Sequence, residues 1–292
     1  MKAVLINLVP RTGKRRHFGK LEFQRTFNFG LLSIASASKK CGHDVEVWDA
    51  ADPEICSEDG LLKSLLKSYP DVVGLSCISG FAYPELRRTA ALVRRALPKV
   101  KIIAGGMDHV GRIPQIVLSE IRCIDAVVSG YGEEAFSNIL NVHADLSKRI
   151  PGVNTRDGNS FIASENMNIY DLEYGLYKNV SALPPSVEMA RGCPYSCVFC
   201  VSAKSRVVRR SPNSLADQML RVCEVYDDPG AKLYLEAPLA TFDQSYLSSL
   251  HRALIERCIQ PTWRTEVRID TLNPAIVEQL AESGCRVLDI GL

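Results

Sequence analysis

The sequence predicts an α/β protein in which a doubly wound, Rossmann-like parallel-sheet domain precedes part of a TIM-type (β/α) barrel. Two observations support this fold class. Short apolar runs of strand length alternate along the 292 residues with segments whose apolar residues recur at helical spacing. The strand-like runs also lack strict polar–apolar alternation, which indicates a parallel sheet covered on both faces.

Five strands are predicted in the first half of the chain, separated by helical patterns. The strands are expected over residues 4–8, 45–48, 72–78, 100–104 and 124–128, and the helices near 31–37, 61–66, 86–97 and 116–121. Ligands of such sheets gather at the carboxyl ends of the strands. Those ends carry Ser76, Ser79 and Gly80, then Gly105 and Gly106, then Gly130 and Gly132. Glycine lets the backbone approach a ligand closely, but ordinary tight turns use it equally, so the glycines alone leave both interpretations open.

Helical periodicity fails between about Arg149 and Pro185. Asp157-Gly158-Asn159 predicts a hairpin-like turn, and Pro184-Pro185 predicts an extended connector. We therefore expect a first domain over residues 1–145, a linker with a hairpin over 146–185 and a second domain over 186–292.

The second domain continues the pattern of strands and helices. Strands are predicted over residues 186–189, 232–235, 262–269 and 286–290. Ser211-Pro212, Asp243 and Asn273-Pro274 fit the first positions of the helices between them. Such a series is typical of a (β/α) barrel, whose active site lies at the carboxyl ends of the strands. No helical segment follows the fourth strand before Leu292, so we expect a barrel truncated there, as in a fragment, a split gene product or a trimmed chain.

Composition argues against several classes of function. The formal net charge of +2 offers no electrostatic case for a nucleic-acid or membrane-surface partner. No segment approaches the roughly 18 apolar residues of a membrane span. The short apolar run at the N-terminus precedes its basic stretch, which is the reverse of a secretory signal. We therefore expect a soluble cytoplasmic protein.

Three of the ten cysteines form the strongest motif in the chain. Cys193, Cys197 and Cys200 follow a predicted strand, and a loop with this spacing can wrap one 4Fe-4S cluster. Three ligands leave one iron open for the amino and carboxylate groups of a substrate, as a catalytic zinc site keeps one position free. Structural zinc is the main alternative, but it takes four ligands, commonly as two pairs, and no second pair is near. The scattered cysteines are expected to be buried small hydrophobic residues.

The spacing Cys193-x3-Cys197-x2-Cys200 after a strand, with Phe199 just before the last cysteine, resembles the radical S-adenosylmethionine superfamily. The resemblance implies that a reduced 4Fe-4S cluster held by the three thiolates donates an electron to S-adenosylmethionine, releasing methionine and a 5′-deoxyadenosyl radical. It also implies four residues that bind S-adenosylmethionine: Phe199, through its backbone near the adenine, and Glu236, Glu266 and Arg268.

Two of these assignments depart from the family pattern or have an alternative. The family's second strand usually ends in a glycine-rich acidic motif, whereas this chain has Tyr234-Leu235-Glu236-Ala237-Pro238. Glu266 and Arg268 would equally suit an exposed ion pair with each other.

The first half of the chain resembles the cobalamin-binding domain that precedes the radical barrel in one large subgroup, so the resemblance covers essentially the whole chain. It rests on Phe29-Gly30-Leu31-Leu32, Gly42-His43-Asp44-Val45, Gly74-Leu75-Ser76, Gly105-Gly106 and Gly130-Tyr131-Gly132-Glu133-Glu134. By position, the cobalamin-binding candidates are Ser76, Ser79, Gly105, Gly106, Gly130 and Glu133. The pattern Asp-x-His-x-x-Gly, which supplies a cobalt ligand, is absent around His17, and His109 follows Asp108 directly. We therefore expect cobalamin to bind without a histidine ligand.

The resemblance implies an enzyme, most commonly a cobalamin-dependent methyltransferase acting on an unactivated carbon. The expected partners are a small-molecule substrate, such as a natural-product or lipid intermediate, and a reductant such as flavodoxin or ferredoxin. The cofactors carry the difficult chemistry, so no catalytic side chain is assigned. Two alternatives stay open: a radical cyclase, oxidase or rearrangement enzyme on the same scaffold, and a non-catalytic cofactor-binding fragment.

Overall fold

The computed structural model describes residues 1–9, 26–107, 109–157, 167–200, 202–240 and 242–291. Two compact units are present: Met1–Asn166 with Leu176–Asn179, and Met167–Gly175 with Val180–Leu292. His17, Asp108 and the predicted turn at Gly158-Asn159 lie outside the described residues. No helix within the described ranges is both long and apolar enough to cross a membrane.

The first unit contains a six-stranded sheet in the order β2-β1-β3-β4-β5-β6. Its strands are β1 (Lys2–Asn7), β2 (Asp44–Asp49), β3 (Val72–Ser76), β4 (Lys101–Gly105), β5 (Ala126–Val128) and β6 (Val153–Asn154). The first five are parallel, and β6 is antiparallel to β5. The helices are α1 (Phe29–Lys40), α2 (Glu58–Ser68), α3 (Tyr83–Ala96), α4 (Pro114–Glu120) and α5 (Gly132–Asn141).

Burial of the central strands explains why the apolar runs do not alternate with polar residues. Every residue of β3 is buried, and the side chains of β1 and β4 are buried except at their ends. Val4, Ile6 and Leu75 belong to a core that also includes residues of α2 and α3. The prediction of a mixed α/β fold with a parallel sheet is therefore confirmed.

Two elements of the first unit were not predicted. No helix was predicted after the motif Gly130–Glu134, but it leads into α5, whose Ser137 hydroxyl forms a hydrogen bond with Ser38 of α1 (Oγ–Oγ 3.1 Å). The region 146–185, expected to be a linker, supplies β6 at the edge of the sheet. The same region returns to β2, where the Lys178 amide donates to the Val47 carbonyl at 2.8 Å. These pairings join residues far apart in sequence, so local periodicity did not reveal them.

The second unit contains a parallel four-stranded sheet in the order β12-β11-β10-β7. Its strands are β7 (Ser186–Glu188), β10 (Lys232–Glu236), β11 (Thr262–Val267) and β12 (Cys285–Ile290), and its helices are α6 (Pro212–Tyr226), α7 (Gln244–Glu256) and α8 (Pro274–Glu282). A separate antiparallel pair consists of β8 (Ala190–Arg191) and β9 (Val208–Arg209). All three helices begin after the caps expected from the sequence, because the side chains of Ser211, Asp243 and Asn273 accept hydrogen bonds from the first turn.

Candidate functional site

The three predicted cluster ligands lie on a loop whose two ends are held together. The strands β8 and β9 pair at its base, where the Cys193 amide donates to Ser205 Oγ and the Ser205 amide donates to the Cys193 carbonyl, both at 2.9 Å. Gly192 has φ +80°, and a Cβ there would lie 1.9 Å from the Arg206 carbonyl oxygen. Only glycine allows the two sides of the loop to cross so closely. We call residues 192–206 the cysteine loop.

The cysteine loop carries three free thiols. Cys193 is buried, whereas Cys197 and Cys200 are half-buried. In the part of the chain that the structure describes, no three His, Cys, Asp or Glu side chains are grouped closely enough to hold a metal ion. The donor set still suits an iron–sulfur cluster, because cysteine thiolates are its usual protein ligands and none of the three is in a disulfide. Cluster binding therefore stays a prediction.

The expectation that the other cysteines are buried is wrong for several of them. Cys77, Cys223 and Cys285 are buried, and burial raises the pKa of the Cys77 thiol to about 11. The exposed ones are Cys41, Cys56 and Cys258. Each of these lies just after a helix or in a turn, where an apolar neighbour in the sequence does not ensure burial.

Phe199 is on the outer part of the cysteine loop. Its side chain is 87% exposed, and that of its neighbour Val198 is fully exposed. Isolated exposed apolar residues are common, but two adjacent ones on a loop leave an apolar surface available to a ligand. The predicted contact with adenine remains a prediction.

Carboxylates lie at the last positions of two neighbouring strands, Glu188 in β7 and Glu236 in β10. Glu188 forms a buried, two-pronged ion pair with Arg191 (Oε1–Nε 2.8 Å, Oε2–Nη2 3.2 Å). Glu236 is solvent-accessible, yet neighbouring protein atoms desolvate it and raise its pKa, and the negative charges of Glu266 and Glu188 raise it further. The end of this sheet therefore favours a bound positive charge.

Glu266 and Arg268 have separate partners. Glu266 Oε1 accepts a hydrogen bond from the Tyr234 hydroxyl at 2.8 Å. Burial raises the pKa of Tyr234, and this hydrogen bond raises it further. Arg268 donates to both carboxylate oxygens of Asp270 at 2.9 and 2.8 Å. Its guanidinium carbon lies 4.1 Å from the centre of the Tyr195 ring, on the cysteine loop. The bonds to Asp270 raise the Arg268 pKa, with smaller contributions from Tyr195 and Cys197.

Arg210 is a residue of this region that sequence reasoning missed. Its buried guanidinium donates to the Glu188 carbonyl at 2.8 Å and to the Tyr170 carbonyl, and it also contacts Asp171 and Ser214. Burial lowers its pKa, although the nearby charge of Glu188 opposes that shift. Arg210 thus ties the strand before the cysteine loop to the start of α6. An arginine next to a helix cap gives no sequence signal for such a role.

Ser76 and Ser79, two of the cobalamin-binding candidates, organise the carboxyl edge of the first sheet. Ser76 Oγ accepts a hydrogen bond from Asn28 Nδ2 at 3.1 Å, and the same amide donates to Asn7 Oδ1 at 2.9 Å. Ser79 Oγ accepts from the Phe81 amide at 3.1 Å and begins a short 3-10 turn. Asn28, the N-cap of α1, therefore links the ends of β1 and β3.

The neighbouring candidates Gly105 and Gly106 differ in their surroundings. A Cβ on Gly105 would make ordinary van der Waals contact with Val128, whose nearest atoms lie 3.9 Å away, so a small side chain is tolerated there. Gly106 has φ +145°, and a Cβ would lie 2.0 Å from the Cys77 carbonyl oxygen. Gly106 is therefore required for packing between two loops, whereas half-buried Gly105 at the strand end is not required by the space around it.

The last two candidates, Gly130 and Glu133, follow β5. Gly130 precedes α5, and Glu133 is buried with its Oε1 accepting a hydrogen bond from Ser33 of α1 at 2.7 Å. This contact gives Glu133 a role in packing α5 on α1, and its predicted role toward cobalamin stays a prediction.

Apolar side chains surround this edge of the first sheet. Ile78, Phe81 and Met107 are exposed beside the candidate residues. The His109 ring lies edge-on to the Tyr83 ring, with their centroids 5.6 Å apart. It is also close to Gly80, because a Cβ added to that glycine would lie 3.7 Å from His109. Exposed apolar side chains beside the strand ends are compatible with an organic cofactor there.

Comparisons with known proteins agree with this organisation. Residues 23–140 match the B12 binding domain family. Over 284 residues the chain is 24% identical to an uncharacterised methyltransferase of Pyrococcus horikoshii, covering 90% of this chain and 60% of that protein. Over 151 residues it is 30% identical to the cobalamin-dependent radical SAM methyltransferase TokK of Streptomyces tokunonensis, covering 45% of this chain and 22% of that protein.

The solved structure of the radical S-adenosylmethionine methyltransferase TsrM from Kitasatospora setae, with cobalamin and a [4Fe-4S] cluster bound, superposes with a TM-score of 0.74 at 17% identity. The match covers 99% of this chain and 60% of that one, and at this identity it shows a shared fold. The chain thus spans 60% or less of the length of these three proteins.

Fold and site together define a class of protein in which a B12-binding α/β domain precedes a parallel sheet with a three-cysteine loop. Residues 23–140 match the B12 binding domain family, and the chain is similar to the radical S-adenosylmethionine methyltransferases TokK in sequence and TsrM in fold. The resemblance seen in the sequence is thereby confirmed.

Proposed function

We propose that this chain cleaves S-adenosylmethionine reductively at a 4Fe-4S cluster held by Cys193, Cys197 and Cys200, and uses cobalamin to methylate an unactivated carbon of a small molecule. The observation that carries the proposal is the closed cysteine loop, with three free thiols, at the end of a parallel sheet. The chemistry supplied by the bound groups is electron donation to a sulfonium and methyl transfer through cobalt.

The residues of the second unit would bind and orient S-adenosylmethionine. Its amino group and sulfonium are positive, and the carboxylates of Glu236 and Glu266 provide negative charge beside the cysteine loop. The exposed Phe199 offers its backbone and ring to the adenine. Arg268 lies close enough to the loop to contact the ribose or the carboxylate of the same molecule.

The residues of the first unit would hold cobalamin without a histidine ligand. Gly105 lies half-buried at the end of β4, and Ser76, Ser79, Gly106 and Gly130 shape the adjoining strand ends. His109 packs on Tyr83, which supports a packing role for its ring. The electron paramagnetic resonance spectrum of the cobalt(II) form is expected to show no splitting from a nitrogen ligand. A nitrogen splitting that is present in the wild type and lost in H109A would contradict this assignment.

The substrate class and the reductant are parts of the proposal that rest on the family. A small organic substrate, such as a natural-product or lipid intermediate, and a flavodoxin or ferredoxin as electron donor are consistent with the methyltransferase relatives. A radical cyclisation, oxidation or rearrangement would use the same cleavage step, so product analysis with labelled S-adenosylmethionine distinguishes these reactions from methyl transfer.

The decisive experiment measures 5′-deoxyadenosine after anaerobic reconstitution with iron and sulfide, reduction and addition of S-adenosylmethionine. The wild-type chain should form it, and the triple variant C193A/C197A/C200A should form none because the cluster has lost its ligands. The matched control is C41A/C56A/C258A, which removes three exposed thiols outside the loop and should retain activity. A reconstituted wild-type chain that forms no 5′-deoxyadenosine would refute the proposal and favour a non-catalytic cofactor-binding chain.

A further inference from the structure

A cation–π contact joins the cysteine loop to the end of β11. Tyr195 lies between Cys193 and Cys197, and the Arg268 guanidinium carbon is 4.1 Å from the centre of its ring. Attraction between a guanidinium and an aromatic face extends to about 6 Å. Arg268 follows the strand β11, so the contact connects the loop to the sheet.

Both partners of this contact are held by other groups. Arg268 makes two hydrogen bonds to Asp270, which fix the plane of its guanidinium. The Tyr195 carbonyl accepts a hydrogen bond from the Lys204 amide at 2.7 Å, across the cysteine loop. The hydrogen bond to Lys204 therefore constrains the backbone that carries the Tyr195 ring, and Asp270 orients the Arg268 guanidinium that faces this ring.

The same sheet offers a matched comparison in Arg264. Its guanidinium lies 4.8 Å from the centre of the Tyr234 ring, and it has Asp289 at 3.9 Å as a carboxylate partner. Arg264 and Arg268 are both on or beside β11 with an aromatic and an acidic partner, but only Arg268 contacts the cysteine loop.

We propose that Arg268 is a positioning residue that clamps the cysteine loop through Tyr195 and favours the reduced state of the cluster with its permanent positive charge. This inference rests on the proposed function, because it requires a cluster on the loop. Reduction adds one negative charge to the cluster, and a fixed cation nearby stabilises that charge. Arginine stays protonated throughout the neutral range, so the effect does not depend on pH there.

The test is a redox titration of the reconstituted chain, followed by electron paramagnetic resonance without S-adenosylmethionine, so that contacts of Arg268 with that molecule do not contribute. In R268Q the midpoint potential should become more negative. At the wild-type midpoint, the ratio of reduced to oxidised cluster should fall about three- to tenfold. Y195L should shift in the same direction because the arginine is no longer held, and Y195F should match the wild type.

The control R264Q removes a comparable arginine away from the loop and should leave the potential unchanged. Equal potentials in R268Q and the wild type would overturn the inference. Equal shifts in R268Q and R264Q would also overturn it, because they would reflect a general loss of surface charge.

A second measurement separates this inference from the proposed function, since it uses the chain without iron. R268K keeps the positive charge but loses the planar stack on Tyr195, so the cysteine loop is no longer held. Alkylation of Cys197 and Cys200 should therefore be several-fold faster than in the wild type. An unchanged alkylation rate would refute the clamp. Failure of the wild-type chain to assemble any cluster would instead refute the proposed function.

Discussion

At the residue scale, the carboxyl end of the second sheet depends on charged side chains with several partners each. Arg210 donates hydrogen bonds to two backbone carbonyls, and Arg191 forms an ion pair with Glu188. Arg268 contacts both Asp270 and the Tyr195 ring. Buried or half-buried charges are tolerated because these hydrogen bonds replace the lost water. Changes at such residues should therefore have larger effects than changes at exposed charges.

Replacement of Arg210 by methionine should destabilise the second unit by about 3 kcal/mol, because the carbonyls of Glu188 and Tyr170 would lose their buried donor. Urea unfolding followed by circular dichroism measures the loss. The control R252M changes an exposed arginine of α7 and should alter stability by less than about 0.5 kcal/mol. Equal stabilities of R210M and R252M would show that the buried network adds nothing.

Replacement of Glu236 by glutamine should change how stability depends on pH. The pKa of Glu236 is raised in the folded chain, so its ionised form disfavours folding above that pKa, and the penalty disappears as the pH falls through it. E236Q should thus raise the thermal midpoint at pH 7, and its advantage should vanish below about pH 4, where the carboxyl is protonated in both states.

Thermal scans from pH 3 to pH 8 test this expectation for E236Q, with E278Q, at an exposed helical position, as the control. A benefit of E236Q that grows toward acidic pH would contradict the sign derived for its pKa.

At the element scale, the junctions after β3 and β4 differ in how tightly their glycines are packed. Gly106 packs against the carbonyl after β3, whereas a Cβ on its neighbour Gly105 would make only ordinary van der Waals contact with Val128. Asn28 holds the start of α1 beside the ends of β1 and β3. The loops that would face cobalamin are therefore built on strands and a capped helix, which keeps them in place before a ligand binds.

The adjacent glycines allow fold and binding to be tested separately. G106A should destabilise the first unit by about 2 kcal/mol or more, since its Cβ would collide with backbone at a positive φ. G105A should cost less than about 1 kcal/mol, because its Cβ would make only ordinary van der Waals contact with Val128, but the added methyl group at the strand end should weaken cobalamin binding. Denaturant unfolding and spectroscopic titration with cobalamin measure the two effects. A stable G106A together with an unfolded G105A would reverse these assignments.

At the scale of the whole molecule, the parallel sheets place both candidate sites at carboxyl strand ends of their own units. In the first unit these ends carry the glycines and exposed apolar side chains, and in the second they carry the carboxylates and the cysteine loop. Parallel strands concentrate loops at one edge, so residues from several strands can contact the same ligand.

Hydrogen exchange with and without cobalamin should reveal this polarity. Protection is expected over residues 77–82, which follow β3, and over residues 106–107 and 109–112, which follow β4 at the carboxyl edge. The turns at 41–43 and 69–71, which precede β2 and β3, serve as internal controls and should exchange equally in both states. Protection at the amino ends alone would place the cofactor elsewhere.

The sequence by itself determined the α/β class, most strands and helices, the helix caps and the cysteine spacing. These features are local: burial of a central strand removes polar residues from it, and a cap needs only three or four neighbouring residues. The resemblance to radical S-adenosylmethionine proteins with a cobalamin-binding domain followed from such local motifs, and the comparisons bear it out.

Only the tertiary structure decided which distant residues meet. Arg268 and Tyr195 are separated by 73 positions, Asn28 and Ser76 by 48, and Arg210 and Tyr170 by 40. The pairing of β6 with β5 and the packing of α5 on α1 are equally non-local. Such contacts depend on how strands are ordered and how loops close, and periodicity within a single segment carries no information about either.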